Sequence, residues 1–316
     1  MRILVTGGSG FVGRHLLSLL RSEGHECRFT STRETLDPLG VILRLPDERG
    51  ALDILQAFQP EAVIHLAGVA FVPEAEGDPI RAAEVNVEGT LGLLRALHRF
   101  DGTGKVRWVH VSTSQVYDSR AGERLDEEAP LFPSNAYAST KLAAEVLVRM
   151  YASAEGRAAI IFRPFNHIGP GQREAFAVSS FARQVVKLER SLAEGTRSAQ
   201  ESVLEVGDLQ VRRDYCDVRD IVKAYSAAAQ GQLPQGTYNL ASGVATPLSW
   251  VVDLLRQLSP QPFQVRVRQE RSRSGEALTL SGNAGKIRSA CGWKAEIPLE
   301  ASVREVLEWW RRSEHV

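Results

Sequence analysis

The sequence predicts an α/β fold: a doubly wound parallel sheet followed by a smaller α/β lobe. Three observations carry this. Short apolar runs alternate with segments of helical periodicity through the first half of the chain. The first run ends in glycines at 7, 10 and 13. After Pro164 the texture changes, with frequent glycine, proline and arginine and shorter elements. Strands separated by helices need parallel crossovers, which lay helices on both faces of one sheet.

The elements follow in order. Ile3-Leu4-Val5-Thr6 is the first strand, and Arg14 to Leu20 has the apolar spacing of a helix. Between them, Gly7, Gly10 and Gly13 make a strand–turn–helix with three glycines. A glycine at the tight turn permits unusual backbone angles, the next lets a pyrophosphate come close, and the last lets helix pack on strand. The helix start offers unpaired N–H groups and a partial positive charge to that phosphate. The turn therefore predicts dinucleotide binding on a Rossmann-like sheet. Glu26–Thr30 reads as strand two and Val41–Leu45 as strand three. Arg49–Phe58 reads as a helix stopped by Pro60, and Ala62–Gly68 as a buried fourth strand. One long helix is expected from Ile80 to Arg99, strand five at Val106–Val111, and a loop from Asp118 to Ser134. A helix over about Asn135–Ala154 and strand six at Ala158–Phe162 complete the first lobe, residues 1–165. Residues 166–316 form mostly a substrate lobe, with helices at Phe176–Leu192, Val218–Gln230, Leu248–Leu258 and Ile297–Arg311. Thr237–Ala241 reads as a strand returned to the first lobe's sheet.

Composition bounds the function. The 316 residues suffice for one large domain or two fused lobes. Lysine plus arginine and aspartate plus glutamate balance at 38 each, so no overall field favours nucleic acid or a membrane surface. An anionic ligand must be held by local arginines. Cys27, Cys216 and Cys291 are scattered, without metal-ligand spacing, and are expected as reduced thiols of a cytoplasmic protein. No apolar run reaches about 18 residues. With a strand beginning at residue 3, no signal peptide is expected.

The cofactor's ribose contact is read at the end of strand two, Thr30-Ser31-Thr32-Arg33-Glu34. An acid there suits the 2′-hydroxyl of NAD, and an arginine suits a 2′-phosphate. Arg33 favours NADP(H), while Glu34 keeps NAD(H) as a second choice. Asp47 is a candidate for the adenine. The chemistry is read at the end of strand five, where Thr113 and Ser114 place hydroxyls toward the cleft, and in Tyr137 and Lys141. Four apart on a helix, these two share a face. An ammonium and the nicotinamide charge are expected to lower the phenol from about 10 by roughly 1–3 units. Tyr137 would then donate or accept a proton near neutrality, with Thr113 holding the substrate oxygen.

These motifs, with His65-Leu66-Ala67-Gly68 and Asn86-Val87-Glu88-Gly89-Thr90, resemble the extended short-chain dehydrogenase/reductase family of nucleotide-sugar enzymes. The resemblance implies that Gly7, Gly10, Phe11, Val12, Gly13, Leu66, Ala67, Gly68, Tyr137 and Lys141 line the cofactor. It also implies a homodimer through a four-helix bundle of the helices holding Asn86–Arg99 and Tyr137–Ala154. Arg163 to Gln172, Leu204 to Leu209, Arg213 to Asp220 and Gly292-Trp293-Lys294 are similar to the signature of GDP-4-keto-6-deoxy-D-mannose reductases. That similarity implies a GDP-sugar substrate reduced at its C4 carbonyl to GDP-D-rhamnose. Asn166, Arg183, Arg213, Arg273 and Glu276 are then its expected contacts, beside Thr113, Ser114 and Tyr137. Where related dehydratases carry a carboxylate, this chain has Gln115, an amide that cannot act as a base. Arg44 and Asp118 also depart from the family's usual aspartate and glycine. Two rival readings remain: a 4-epimerase or a reductase of another nucleotide sugar, and a non-catalytic NADP-binding regulator. No metal site is expected.

Overall fold

The structure is a computed structural model, and it describes residues 1–153, 156–196, 201–268 and 278–313. Strands β1 (Arg2–Thr6), β2 (Glu26–Ser31), β3 (Gly40–Ile42), β4 (Ala62–His65), β5 (Arg107–Val111), β7 (Ala159–Pro164) and β11 (Gly236–Leu240) form a seven-stranded sheet. Its order is β11-β7-β5-β4-β1-β2-β3, and every pairing is parallel. The chain therefore winds outward in both directions from β1 and β4, leaving a crevice at their carboxyl ends. Helices α1 (Phe11–Ser22) and α8 (Val218–Ala229) cover one face, and α2 (Glu48–Phe58), α5 (Gly89–Phe100) and α6 (Ala136–Ala152) the other. Alternation along each strand divides the core accordingly. Ile3, Val5, Ile64, Val109 and Phe162 face the first set; Leu4, Val63, Trp108 and Ile161 face the second.

The second lobe holds a smaller sheet, β12 (Ala245–Pro247), β10 (Arg212–Asp217), β14 (Thr279–Gly282) and β6 (Arg124–Leu125), with β8 (Asn166–Ile168) on β10. A separate pair joins β9 (Val203–Val206) to β13 (Gln264–Val267). Helices α7 (Ala177–Ala193), α9 (Leu248–Leu258) and α11 (Leu299–Arg312) share an apolar core with these strands.

Three expectations are corrected. The single helix over Ile80–Arg99 is instead α4 (Pro79–Ala83), a π turn at Glu84–Glu88, and α5, preceded by a short α3 (Val72–Gly77). Asp78 caps α4 by accepting from Arg81 N–H, Pro79 opens it, and the wide turn carries the buried Asn86 side chain inward. Strand three ends at Ile42 because it lies at the sheet edge; Leu43 and Leu45 then drop into the core as coil. The loop from Asp118 to Ser134 contains β6, which crosses to the second sheet.

The lobes are tied by a buried carboxylate on β10. Asp214 accepts from Ser242 N–H and Oγ–H, Gly243 N–H and Gly282 N–H, at 2.7–3.1 Å. Ser242 follows β11 of the main sheet, and Gly282 ends β14 of the small one. Asp214→Ala leaves these donors buried and unpaired. A buried donor left without its partner costs roughly 1–3 kcal/mol. Urea unfolding is expected to show a loss of that size.

Candidate active site

The glycine turn is a backbone cradle. Gly7 has φ +70°, and a Cβ there would stand 2.8 Å from Ala67 Cα. A Cβ on Gly13 would stand 2.5 Å from Gly8 Cα, so only glycine lets α1 pack this close to the turn. No side chain caps α1, and the first N–H groups of Phe11, Val12 and Gly13 point out of the helix start. These features fit a pyrophosphate. Beside the cradle, Ser9 Oγ donates to Ser31 Oγ at 3.1 Å, and the exposed Arg33 follows, its N–H on Ser31 Oγ. Asp47 has a local role, capping α2 through Gly50 N–H at 2.9 Å.

Below the cradle, register sets Thr6, His65 and His110 side by side on β1, β4 and β5. Their hydrogen bonds have a fixed direction. Thr90 Oγ donates to Asn86 O at 2.6 Å, so it accepts from His65 Nε2–H at 3.1 Å. His65 Nδ1 is then an acceptor and takes the Thr6 hydroxyl at 2.6 Å, while Thr6 Oγ accepts from Ala67 N–H. From the π turn, Asn86 bonds both backbone groups of Val69 and gives its other amide hydrogen to Thr140 Oγ at 2.9 Å. Thr140 in turn donates to Tyr137 O at 2.8 Å. One chain thus runs from the phosphate turn to the helix that carries the tyrosine. Burial first, and then Lys141, hold His65 neutral, down to about 3. His110 is wholly buried and held well below its usual value, by burial first and then by Lys141 and His65. Neither of its ring nitrogens has a partner among the described residues.

Tyr137, Lys141 and Glu145 follow one another at four-residue steps on α6, all buried. Asn135 caps this helix, its Oδ1 accepting from Ala138 N–H at 2.8 Å. Burial brings Lys141 down to about 8, opposed by the Glu145 carboxylate. Glu145 is held by Ser112 Oγ–H at 2.5 Å, by buried Arg163 through two bonds of 2.7 and 3.0 Å, and by Arg149 at 2.9 Å. Burial raises the Tyr137 phenol, opposed by its hydrogen bond with Thr113. Tyr137 is thus a phenol at neutral pH.

The structure brings Thr113, Ser114, Tyr137 and Lys141 together as buried groups at the carboxyl end of β5 and the start of α6. Leu66, Ala67 and Gly68 follow β4 beside the cradle. Asn166 is exposed on β8, next to His167, whose ring lies parallel to Phe11 at 6.3 Å. Arg183 pairs with Glu174 and lies over the Trp310 ring, and buried Arg213 donates to Arg212 O at 2.8 Å. Arg273 and Glu276 lie outside the described residues. Residue types alone did not disclose Glu145, Arg163, His110 or Asn86 as parts of the site. The period-four spacing from Tyr137 through Lys141 to Glu145 was the signal that could have found Glu145. Among the described residues no group of histidines, cysteines and carboxylates forms a metal site, and no helix is long and apolar enough to cross a membrane.

The model of the NAD dependent epimerase/dehydratase family matches residues 3–241. The chain belongs to that family. It is 35% identical to GDP-6-deoxy-D-mannose reductase of Pseudomonas aeruginosa over 313 residues, covering 98% of this chain and 97% of that protein. It is 28% identical to GDP-6-deoxy-D-talose 4-dehydrogenase of Aggregatibacter actinomycetemcomitans, covering 98% and 96%. The fold is similar to that of RMD from Pseudomonas aeruginosa complexed with NADPH, with TM-score 0.80, 34% identity and 98% of both chains covered. It is also similar to Thermus thermophilus UDP-glucose 4-epimerase in complex with NAD, with TM-score 0.85, 26% identity and 99% and 100% covered. The family membership makes this protein an enzyme of the short-chain dehydrogenase/reductase type.

The buried neutral histidines have a consequence for stability. A histidine held below its unfolded value takes up a proton on unfolding, so stability is full above about 6.5 and falls as pH drops below it. Each such group contributes about 1.4 kcal/mol per pH unit on that slope. Between pH 6 and 5, His110→Phe is expected to flatten the fall in unfolding free energy by about that much relative to the wild type. Denaturant titrations at the two pH values check it.

Proposed function

We propose that the protein is a nucleotide-sugar reductase that converts GDP-4-keto-6-deoxy-D-mannose to GDP-D-rhamnose, with NADPH preferred and NADH a second donor. The observation that carries this reading is a buried phenol, Tyr137, hydrogen-bonded to Thr113 and one helical turn from Lys141 on α6. A reduction needs an acid at the carbonyl oxygen, and a phenol that burial raises is protonated at neutral pH. The reduced nicotinamide, when bound, supplies the hydride. Gly7, Gly10 and Gly13 admit its pyrophosphate, with the N–H groups of Phe11 and Val12 turned to it. Arg33, among serine and threonine hydroxyls at the end of β2, suits a 2′-phosphate better than a bare ribose.

Thr113 orients the carbonyl oxygen, Tyr137 gives it a proton, and the Lys141 ammonium favours the phenolate left behind. Glu145 keeps Lys141 charged from one turn further on. Asn166 on the exposed end of β8, with Arg183 and Arg213, is the proposed contact set for the diphosphate and sugar, Arg273 and Glu276 completing it. The 35% identity to GDP-6-deoxy-D-mannose reductase supports the GDP-sugar. The exposed apolar stripe Ala143, Val146 and Met150 on α6 supports a homodimer through that helix. The similarity to UDP-glucose 4-epimerases favours a second reading, a 4-epimerase, which would purify with tightly held NAD and consume no added cofactor.

Purified protein mixed with GDP-4-keto-6-deoxy-D-mannose is expected to oxidise NADPH in proportion to GDP-D-rhamnose formed. Tyr137→Phe is expected to lower kcat by about 10²–10⁴-fold while NADPH binding, read by fluorescence, stays. No oxidation by the wild type contradicts the reading. Lys141 is charged below about 8 and loses its proton as pH rises through it, while the Tyr137 phenol stays intact. Activity is therefore expected to fall above about pH 8. Glu145→Gln removes the carboxylate that raises Lys141, so the alkaline limb of the kcat/KM profile is expected to move to lower pH.

A further inference from the structure

The strand order fixes the direction in which a dinucleotide lies across the sheet. Tyr137 and Lys141 stand near the end of β5, on the β4 side of the glycine turn. A nicotinamide that reaches them leaves the adenosine half on the other side, over the carboxyl ends of β2 and β3. Two arginines stand there. Phe29, Thr30 and Ser31 pair in parallel with Gly40, Val41 and Ile42, and Leu43 N–H extends the ladder to Ser31 O at 3.0 Å. Arg33 is two residues beyond Ser31, and Arg44 is two beyond Ile42, the residue paired with Ser31. Neighbouring strands lie about 4.8 Å apart, so both side chains can reach one group. Both are exposed, Arg44 between the buried Leu43 and Leu45. Among the described residues neither guanidinium has an ion pair or a hydrogen bond. Nearby arginines are matched: Arg21 with Asp37, Arg49 with Asp53, Arg99 with Glu48. Two unmatched cations at adjacent strand ends repel one another, and a bound dianion removes that cost.

We infer that Arg44 is a specificity-determining residue for the cofactor, closing with Arg33 a two-arginine clamp on the 2′-phosphate of NADP(H). The inference rests on the NADPH preference proposed above and deepens it. A phosphate monoester carries about −1.5 to −2 charges at pH 7, so Arg33 alone leaves it partly unneutralised and the pair matches it. The planar fork of each guanidinium suits two phosphate oxygens. Ser31 Oγ accepts from Ser9 Oγ–H at 3.1 Å and from Arg33 N–H at 3.2 Å, so its own hydrogen remains for a phosphate oxygen. The bare 2′-hydroxyl of NAD(H) brings no charge to the clamp. Arg44 therefore separates the two cofactors from one another.

Two fragments that differ only in the 2′-phosphate, adenosine 2′,5′-bisphosphate and 5′-AMP, isolate the clamp. Their affinities are measured by calorimetry at low and at physiological salt, with the melting temperature alongside. The wild type is expected to bind the bisphosphate about a hundredfold more tightly than 5′-AMP, less so as salt rises. Arg44→Ala and Arg33→Ala are each expected to cut that ratio about tenfold by weakening the bisphosphate alone. The double variant is expected to abolish it, and the melting temperature to stay, since both side chains are exposed. An Arg44→Ala variant that keeps the wild-type ratio overturns the inference, and Arg33 then carries the preference alone. Equal weakening of both fragments also overturns it, because that is the mark of stacking on adenine. A wild type that binds the two fragments alike overturns the NADPH preference together with the clamp. A wild type that prefers the bisphosphate but oxidises no NADPH with the keto sugar overturns the reductase reading and leaves the clamp standing.

Discussion

Everything at the carboxyl edge of the main sheet depends on one constraint: polar groups buried there must be paired, and each pair fixes the direction of the next. Thr90 can donate to Asn86 O only if it accepts from His65, and His65 can accept from Thr6 only in that tautomer. The chain leaves no freedom at its far end, where Thr140 holds the backbone of Tyr137. The glycine turn and the helix that carries Tyr137 are therefore held in one register by hydrogen bonds that cannot be reversed singly. Leaving any buried member unpaired costs roughly 1–3 kcal/mol, enough to keep the arrangement unique.

Charge is organised as strictly. Lys141 is buried, which alone would drive off its proton. The compensation lies one turn along α6, where Glu145 is pinned by Arg163 and Ser112 in the protein interior. Arg163 in turn stacks on the Tyr117 ring at 4.8 Å and comes from β7, so the sheet itself supports the lysine. Burial raises Tyr137 and lowers Lys141, and the two effects together give a neutral acid beside a readily adjusted cation.

Much of this was legible in the sequence, and the misses have physical causes. Apolar periodicity disclosed the seven strands of the main sheet, since each is bounded by glycine, proline or polar turns. It also disclosed the return of Gly236–Leu240 to that sheet beside β7. The helix at 80–99 was misjudged because a π turn keeps nearly helical spacing while turning Asn86 inward, and periodicity does not register one extra residue. The short strands of the second lobe, two to six residues each, pair over long sequence distances and leave no local pattern. Type and spacing singled out the tyrosine, lysine and threonine that lie buried at the end of β5 and the start of α6. The burial of the phenol was not legible, because it arises from the packing of α6 rather than from any neighbour in sequence. The Arg213–Asp220 stretch resembled a family signature, and its three aspartates hold Ser242, Gly243, Gly282, Ser302, Glu296 and Ile297, partners far off in sequence.

The central claim is that a hydride leaves the nicotinamide for the sugar carbon while Tyr137 protonates the oxygen. Its most direct measurement uses NADPH deuterated at the transferable C4 position, with GDP-4-keto-6-deoxy-D-mannose, and locates the label by mass spectrometry and NMR. The account predicts one deuterium on C4 of the sugar in every product molecule, with NADP⁺ formed in equal amount. A product free of deuterium, or a sugar changed at C4 with the reduced cofactor unconsumed, would contradict it.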